Sequence, residues 1–450
     1  MNDQVTDDEL DAFALMARKL RALPLGDPRR MRGESIAASF ARESRNLRRK
    51  AVRRARSEAD AALAAGTATG ALDRLEDAPL AAVEPGRDVE HYERPRHCYV
   101  CKALYRQVDS FYHRLCPPCA ADNTARRSLS TDLRGRRVLL TGGRVKIGFQ
   151  LALMMLRDGA ELLVTSRFPD DTLRRFRAVP GSRDWLGRLT VVAVDLRDPR
   201  QVLGLCERLR DSGEPLDVLV NNAAQTIRRP PEAYALLAAG ESGAARPGVL
   251  MAPGYAPMAA VGAPDGALSL VLPEAEAEAS EQTGLLPDLA PENSWSARLG
   301  GLDPAELLET QLVNALAPAL LADRLLPLLL ASPRPRRYIV NVTAVEGRFA
   351  VRNKTARHPH TNMAKAALNM LTRTSAAQLA AEGVHMCSVD TGWITDENPA
   401  PRKARIAAFG TRTPLDVVDG AARIYDPIVR GEAGDPVAGV FLKDYQEAAW

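Results

Sequence analysis

No apolar run in the 450 residues approaches the roughly 20 that a membrane-crossing helix needs; the longest aliphatic stretches, such as Leu325 to Ala331, are far shorter. The N-terminus, MNDQVTDDEL, is acidic and lacks the basic and then apolar blocks of a secretory signal. A surplus of one charge is also missing: 60 Lys plus Arg face 56 Asp plus Glu, too near balance to mark a nucleic-acid binder from totals. No internal repeat is evident. The expectation is a soluble, cytoplasmic chain with no membrane partner. Its 46% hydrophobic and 26% charged residues are ordinary for a globular protein, and its length suits two or three folding units.

The balance hides local asymmetry. From Pro247 to Ala297 there is no Lys, Arg or His, while Glu274, Glu276, Glu278, Glu281 and Glu292 accumulate. Between Arg29 and Arg56, by contrast, eleven basic residues stand against Glu34 and Glu43. Asp8 to Leu23 carries an apolar stripe at helical spacing, Arg42 to Ala65 is a second helical stretch free of Pro and Gly, and Gly66 to Pro85 reads as a linker. Residues 1–90 are therefore expected to be a helical, basic extension and linker. The basic segment raises nucleic-acid binding as a rival function class, although its charges encircle the helix rather than form one stripe.

Four of the six cysteines fall in one short segment as Cys98-Tyr-Val-Cys101 and Cys116-Pro-Pro-Cys119, with 14 residues between the pairs. Each C-x₂-C pair can present two thiolates on one knuckle, and two knuckles close a tetrahedron around Zn²⁺. Without a secretion signal, such clustering favours metal over disulfides. Residues 91–125 are thus expected to be a structural zinc module with Cys98, Cys101, Cys116 and Cys119 as ligands. His97 and His113 read as flanking surface residues, and Tyr92, Tyr99, Tyr105, Phe111 and Tyr112 would pack the module or dock it on its neighbour.

From about Thr131 onward, strand-like apolar runs alternate with helical segments, the pattern of a doubly wound α/β parallel sheet. Strands are predicted over 137–141, 161–166, 190–195, 216–221, 338–342, 385–389 and 439–442. The first runs into Thr141-Gly142-Gly143-Arg144-Val145-Lys146-Ile147-Gly148 and then a helix, so backbone N–H groups and a helix N-terminus can face a pyrophosphate. Asp195-Leu196 follows the third strand and Asn221-Asn222-Ala223-Ala224 the fourth. Asn314 and Lys365 sit in later helices, and Thr391-Gly392 follows the sixth strand.

This ordered succession resembles the short-chain dehydrogenase/reductase superfamily over residues 131 to 445. The resemblance implies a Rossmann fold over residues 131–450, a nicotinamide dinucleotide, a small-molecule carbonyl or alcohol substrate, and a homo-oligomer. It makes Thr141, Gly142, Ile147 and Gly148 the nucleotide loop, with Lys146 replacing the middle glycine. A side chain there must point away from the nucleotide or reach across to a phosphate. The resemblance also makes Asp195 the adenine contact with Leu196 beside it, Asn221 and Ala223 the support beside the cofactor, and Gly392, Ile394 and Thr395 the nicotinamide holders. The second strand ends in Ser166-Arg167 without the acid that accepts from a free ribose 2′-hydroxyl, and Arg167 with Arg144 or Lys146 offers cations to a 2′-phosphate. NADP(H) is therefore expected over NAD(H).

At the catalytic positions the family pattern breaks. Asn314 and Lys365 match, but the tyrosine position is Thr361 and the serine position is Ala344, with Thr343 beside it. An aliphatic hydroxyl is too weak an acid to replace a phenol. One reading gives the proton to His358 or His360, with Thr343 or Thr361 orienting a carbonyl. The other is a dinucleotide-binding sensor or scaffold without reductase chemistry. Residues 230–300 exceed a normal connection several-fold and are expected to be a partly disordered excursion, with Arg228 and Arg229 where it leaves the sheet.

Overall fold

In the computed structural model, residues 5–81, 90–258, 282–351, 354–408 and 410–450 are described. Helix α1 (Asp7–Arg21) opens with a capping box, Thr6 accepting from Glu9 N–H and Glu9 answering. Helix α2 (Pro28–Ala65) begins on the Asp27 cap and is almost wholly exposed, burying only Asp60 and Ala64. The strands β1 (His91–His97) and β2 (Leu104–Gln107) form an antiparallel hairpin, followed by α3 (Pro117–Arg126).

A nine-stranded sheet makes up the rest. Its strands are β3 (Arg137–Leu140), β4 (Glu161–Ser166), β5 (Leu189–Ala193), β6 (Val218–Asn221), β7 (Val249–Met251), β8 (Arg337–Thr343), β9 (Val384–Asp390), β10 (Phe441–Lys443) and β11 (Gln446–Ala448). The order is β11-β10-β9-β8-β6-β3-β4-β5-β7, parallel except for the β10–β11 pair. The seven predicted strands are all present. The unpredicted β7 and β11 add one short strand at each edge.

Helices cover both faces, as a parallel sheet requires. On one side α4 (Lys146–Arg157), α5 (Pro169–Arg177) and α11 (Val417–Glu432) bury Leu151, Met155, Phe176, Ile424 and Tyr425 against Val138, Leu140, Val164 and Val340. On the other side α6 (Pro199–Asp211), a continuous helical stretch over 304–331 and α10 (Pro359–Ala381) enclose Leu205, Leu321, Leu325, Ile339 and Leu379. That stretch comprises α8 (Pro304–Gln311), a π-turn over Leu312–Leu316 and α9 (Ala317–Ala331). By length and composition it is apolar enough to cross a membrane, which single aliphatic runs did not reveal. Half of its most apolar window is buried in the protein.

One expectation needs correction. The 66–81 segment is no loose linker. Thr67, Thr69 and Arg74 are buried, and the Arg74 guanidinium donates to the Thr413 and Leu415 carbonyls at 2.8 and 2.7 Å. The described part of the 230–300 insertion is also ordered into the fold: a turn and α7 (Ala235–Ala239) lead to β7, which pairs in parallel with β5. The stretch Glu274–Glu278 lies outside the described residues.

The cysteine module does not stand apart. Tyr92, Cys98, Tyr112, Leu115 and Cys116 form one apolar cluster with Ile394, Leu415 and Val417 of the sheet domain. Polar contacts reinforce the seam: Tyr112 Oη donates to Asp419 at 2.6 Å, and the Arg127 guanidinium bonds Asp416 at 2.6 Å. His113, expected at the surface, is buried beside Thr69 Oγ1 at 2.8 Å.

Candidate nucleotide site and metal centre

The chain order reverses between β3 and β6, and a cavity of about 1010 Å³ opens at the C-terminal ends of the strands there. This is where open α/β sheets bind ligands. Glycine is required twice in the loop after β3. Gly142 has φ +70° and faces Ala223 closely, and a Cβ on Gly148 would fall 2.2 Å from the Gly142 carbonyl and 2.5 Å from Asn222 Nδ2. Thr141 Oγ1 accepts from the N–H groups of Asn222 and Ala223 at 3.0 Å each, which locks the loop to the end of β6. Asn221 lies behind the cavity and bonds Asn341 at 2.8 Å.

Lys146 begins α4 in the left-handed region at φ +55°, a conformation suited to the glycine it replaces. Its ammonium points away to Asp77 of the 66–81 strap at 3.0 Å and to Glu397 at 3.6 Å. Arg144 is also committed elsewhere: it bonds Asp171 and the Thr283 carbonyl, each at 2.7 Å. Burial presses its pKa down despite Asp171. Neither cation is held out toward a 2′-phosphate. Arg167, at the end of β4, differs. Its guanidinium lies 5.6 and 5.1 Å from the Phe168 and Tyr234 ring centroids, and its Nη1 is buried with no protein partner.

Ser166 is occupied by internal bonds from Phe168 N–H and Thr172. Asp195 lines the cavity beside Leu196. Burial opposes its charge, but the Arg197 guanidinium at 2.6 Å holds its carboxyl below the usual range. Gly392, Ile394 and Thr395 line the opposite wall, and Thr395 Oγ1 donates to Glu397 at 3.2 Å.

Of the catalytic candidates, Thr343, His358, Thr361 and Lys365 line the cavity. Lys365 is buried and donates to the Val342 carbonyl at 2.9 Å; burial pulls its pKa down to about 8, with Glu346 opposing. His358 stacks on Trp295 at 4.1 Å and contacts the Trp295 carbonyl through Nδ1 at 3.0 Å. The Thr361 hydroxyl is buried without a partner.

Asn314 sits behind the cavity in the π-turn, accepting from Gln225 N–H at 2.7 Å and donating to its carbonyl at 2.9 Å. His360 is a correction. It is fully buried away from the cavity with both ring nitrogens unpartnered, and burial lowers its pKa. Two positions apart at a helix start, it and His358 point to different sides.

Three lining residues were missed by sequence reasoning. Asp390 ends β9 as the register partner of Thr343 and is 5% exposed. Burial pushes its carboxyl up to about 6, with Lys443 opposing and Glu346 and Asp444 assisting. Glu346 follows the serine position on the same wall. Tyr99 enters from the cysteine knuckle. The strand-end Asp was readable as a buried acid, but Tyr99 gave no such signal because tertiary docking alone brings it there.

The four cysteine Sγ atoms lie within 4.8 Å of one another, with Cys101 and Cys116 at 3.6 Å. A tetrahedron with 2.3 Å Zn–S bonds has edges of about 3.8 Å, so the donor set fits Zn²⁺. Cys116 N–H donates to Cys98 Sγ at 3.3 Å, and the N–H of Ala103 lowers the Cys101 thiol to about 7. The second contact favours the Cys101 thiolate.

Comparison with known proteins agrees with this architecture. A family model described as short chain dehydrogenase matches residues 136–237, and one described as enoyl-(acyl carrier protein) reductase matches 277–418. An uncharacterised protein of Acanthamoeba polyphaga mimivirus is 29% identical over 74% of this chain and 71% of its own length. A probable oxidoreductase of Streptomyces antibioticus is 36% identical, but the match spans 20% of this chain and 30% of that protein. Among solved structures, the NADPH-bound carbonyl reductase from chicken fatty liver is 17% identical over 71% of this chain and all of its own, with a TM-score of 0.45.

Proposed function

The chain belongs to the short-chain dehydrogenase/reductase superfamily, and from that premise we propose that it is an NADP(H)-dependent oxidoreductase acting on a small-molecule carbonyl or alcohol. The observation that carries the proposal is Arg167. A buried guanidinium nitrogen without a partner costs free energy, and a 2′-phosphate at the end of β4 would satisfy it. Gly142, Ile147 and Gly148 would admit the pyrophosphate, Asp195 would face the adenine, and Ile394 and Thr395 would hold the nicotinamide.

When bound, NADP(H) supplies the hydride, so this chain must supply the proton. We assign that role to Asp390. Its carboxyl lines the cavity beside Thr343, and its raised pKa keeps it partly protonated near neutrality. Lys365 would bind ribose hydroxyls, and Thr343 and Thr361 would orient the substrate oxygen. The cysteine module would hold one structural zinc. A dinucleotide binder without turnover is the second reading, favoured by the missing phenol at Thr361 and the missing hydroxyl at Ala344.

Fluorescence titration with NADPH and NADH, followed by turnover with pooled aldehydes and ketones, tests both readings. NADPH binding with turnover supports the oxidoreductase, and binding without turnover supports the second reading. No binding to either nucleotide removes both.

A further inference from the structure

The family pattern does not explain why a metal module is attached to this sheet domain. Tyr99 sits between Cys98 and Cys101, and its N–H donates to the Arg114 carbonyl at 2.8 Å, joining the two arms of the module. Its phenol oxygen accepts the backbone N–H of Trp393 at 2.8 Å and lies 3.5 Å from where a Gly392 Cβ would stand. The Trp393 ring lies under the Arg114 guanidinium, 5.6 Å from its centroid. Thus two module residues brace the 391–395 loop, Tyr99 from the cavity wall itself, where Gly392, Ile394 and Thr395 also lie.

We propose that Tyr99 is a positioning residue for the nicotinamide-facing loop, so that metal binding at the four cysteines and dinucleotide binding in the cavity are coupled. The inference rests on the dinucleotide reading above. Metal at the four cysteines would hold the knuckle closed, and the closed knuckle fixes the Tyr99 backbone through its bond to the Arg114 carbonyl. Tyr99 then satisfies the Trp393 N–H and holds the loop in one conformation before the nucleotide arrives. Pre-ordering a binding loop raises affinity by removing an ordering cost. Such coupling is reciprocal: if metal tightens dinucleotide binding, dinucleotide must tighten metal binding by the same factor.

The test uses the full-length, metal-loaded protein and Tyr99→Phe, which keeps the ring and removes the hydroxyl. Three quantities are read: zinc per chain, NADPH affinity by fluorescence, and the extent of zinc release at equilibrium with a competing colorimetric chelator, with and without saturating NADPH. The expected result is one zinc in both proteins, a roughly 2- to 10-fold weaker NADPH Kd in the variant, and NADPH protection of zinc in the wild type that is reduced in the variant. In turnover, the KM for NADPH should rise while kcat stays near wild type, a split that general destabilisation would not produce. Equal NADPH affinity in the two proteins with zinc release indifferent to NADPH overturns the inference while leaving the dinucleotide reading standing. A wild type that binds no NADPH overturns both, and a folded wild type without zinc overturns the coupling alone.

Discussion

Replacing Asp390 by Asn should stabilise the protein and impair its chemistry. The carboxyl is 5% exposed and pushed up to about 6 from 3.8, chiefly by burial. A carboxyl whose pKa is raised on folding carries no penalty below about pH 4, where both states are protonated. The penalty grows as pH rises and is complete above the folded pKa. With each pKa unit worth about 1.4 kcal/mol, the full penalty is about 3 kcal/mol. Asn mimics the protonated acid, and Lys443 keeps Asp444 as its ion-pair partner. The stability gain of Asp390→Asn should therefore grow from about 1 kcal/mol at pH 4.5 to about 3 kcal/mol at pH 8. Urea unfolding midpoints of both proteins across that range measure it. A gap that does not widen with pH, or a less stable variant at pH 8, would refute the burial argument. The same variant should lose about 10²-fold or more of kcat for carbonyl reduction, the usual worth of a positioned general acid. Full activity would remove Asp390 as the proton donor while leaving the stability argument intact.

Other consequences are more direct. Arg167→Ala should weaken NADPH at least several-fold more than NADH; equal losses in a titration would refute the 2′-phosphate role. Cys101→Ser should lower metal content well below one zinc per chain, and a variant that keeps full zinc would disprove the four-cysteine site. The His360 ring is buried and its pKa lowered by that burial, so unfolding lets it protonate below about 6.5 and stability falls as pH drops through that value. His360→Leu should flatten this acid sensitivity in a pH series of thermal melts. Unchanged sensitivity would mean that the ring is solvated.

The sheet was legible because a buried parallel strand must be apolar along its length. Runs such as Val138-Leu139-Leu140 and Ile339-Val340 between turn residues have few other uses. Strands β7 and β11 were not legible: at three residues each, they pair because a neighbouring edge is available, not because their own pattern demands it. The 66–81 strap escaped for a different reason. Its Ala, Gly and Thr content looks like a linker, and what fixes it is hydrogen bonding of Thr69 and Arg74 to distant carbonyls, which has no periodicity. The glycine-rich turn between β3 and α4 was readable in the sequence, but where its flanking cations point was not. Arg144 and Arg167 both lie on turns at the cavity, and the tertiary positions of Asp171 and the Thr283 carbonyl separate them.

The sheet domain departs from its family at Lys146, where the loop usually has glycine, and at Thr391, where it usually has proline. The first puts a side chain where glycine would sit at positive φ without strain, and the second removes a ring that fixes φ. A non-glycine residue held at positive φ costs on the order of 1–3 kcal/mol unless its surroundings over-determine it. The N-terminal region contacts these places. Asp77 takes the Lys146 ammonium, Tyr99 takes the Trp393 N–H two residues beyond Thr391, and Arg74 takes the Leu415 carbonyl behind the same wall. External contacts thus stand at the strained residue and near the loop that lacks the ring. On this argument the extension and the altered loops form one unit, and restoring glycine at Lys146 alone would leave Asp77 without its ammonium partner.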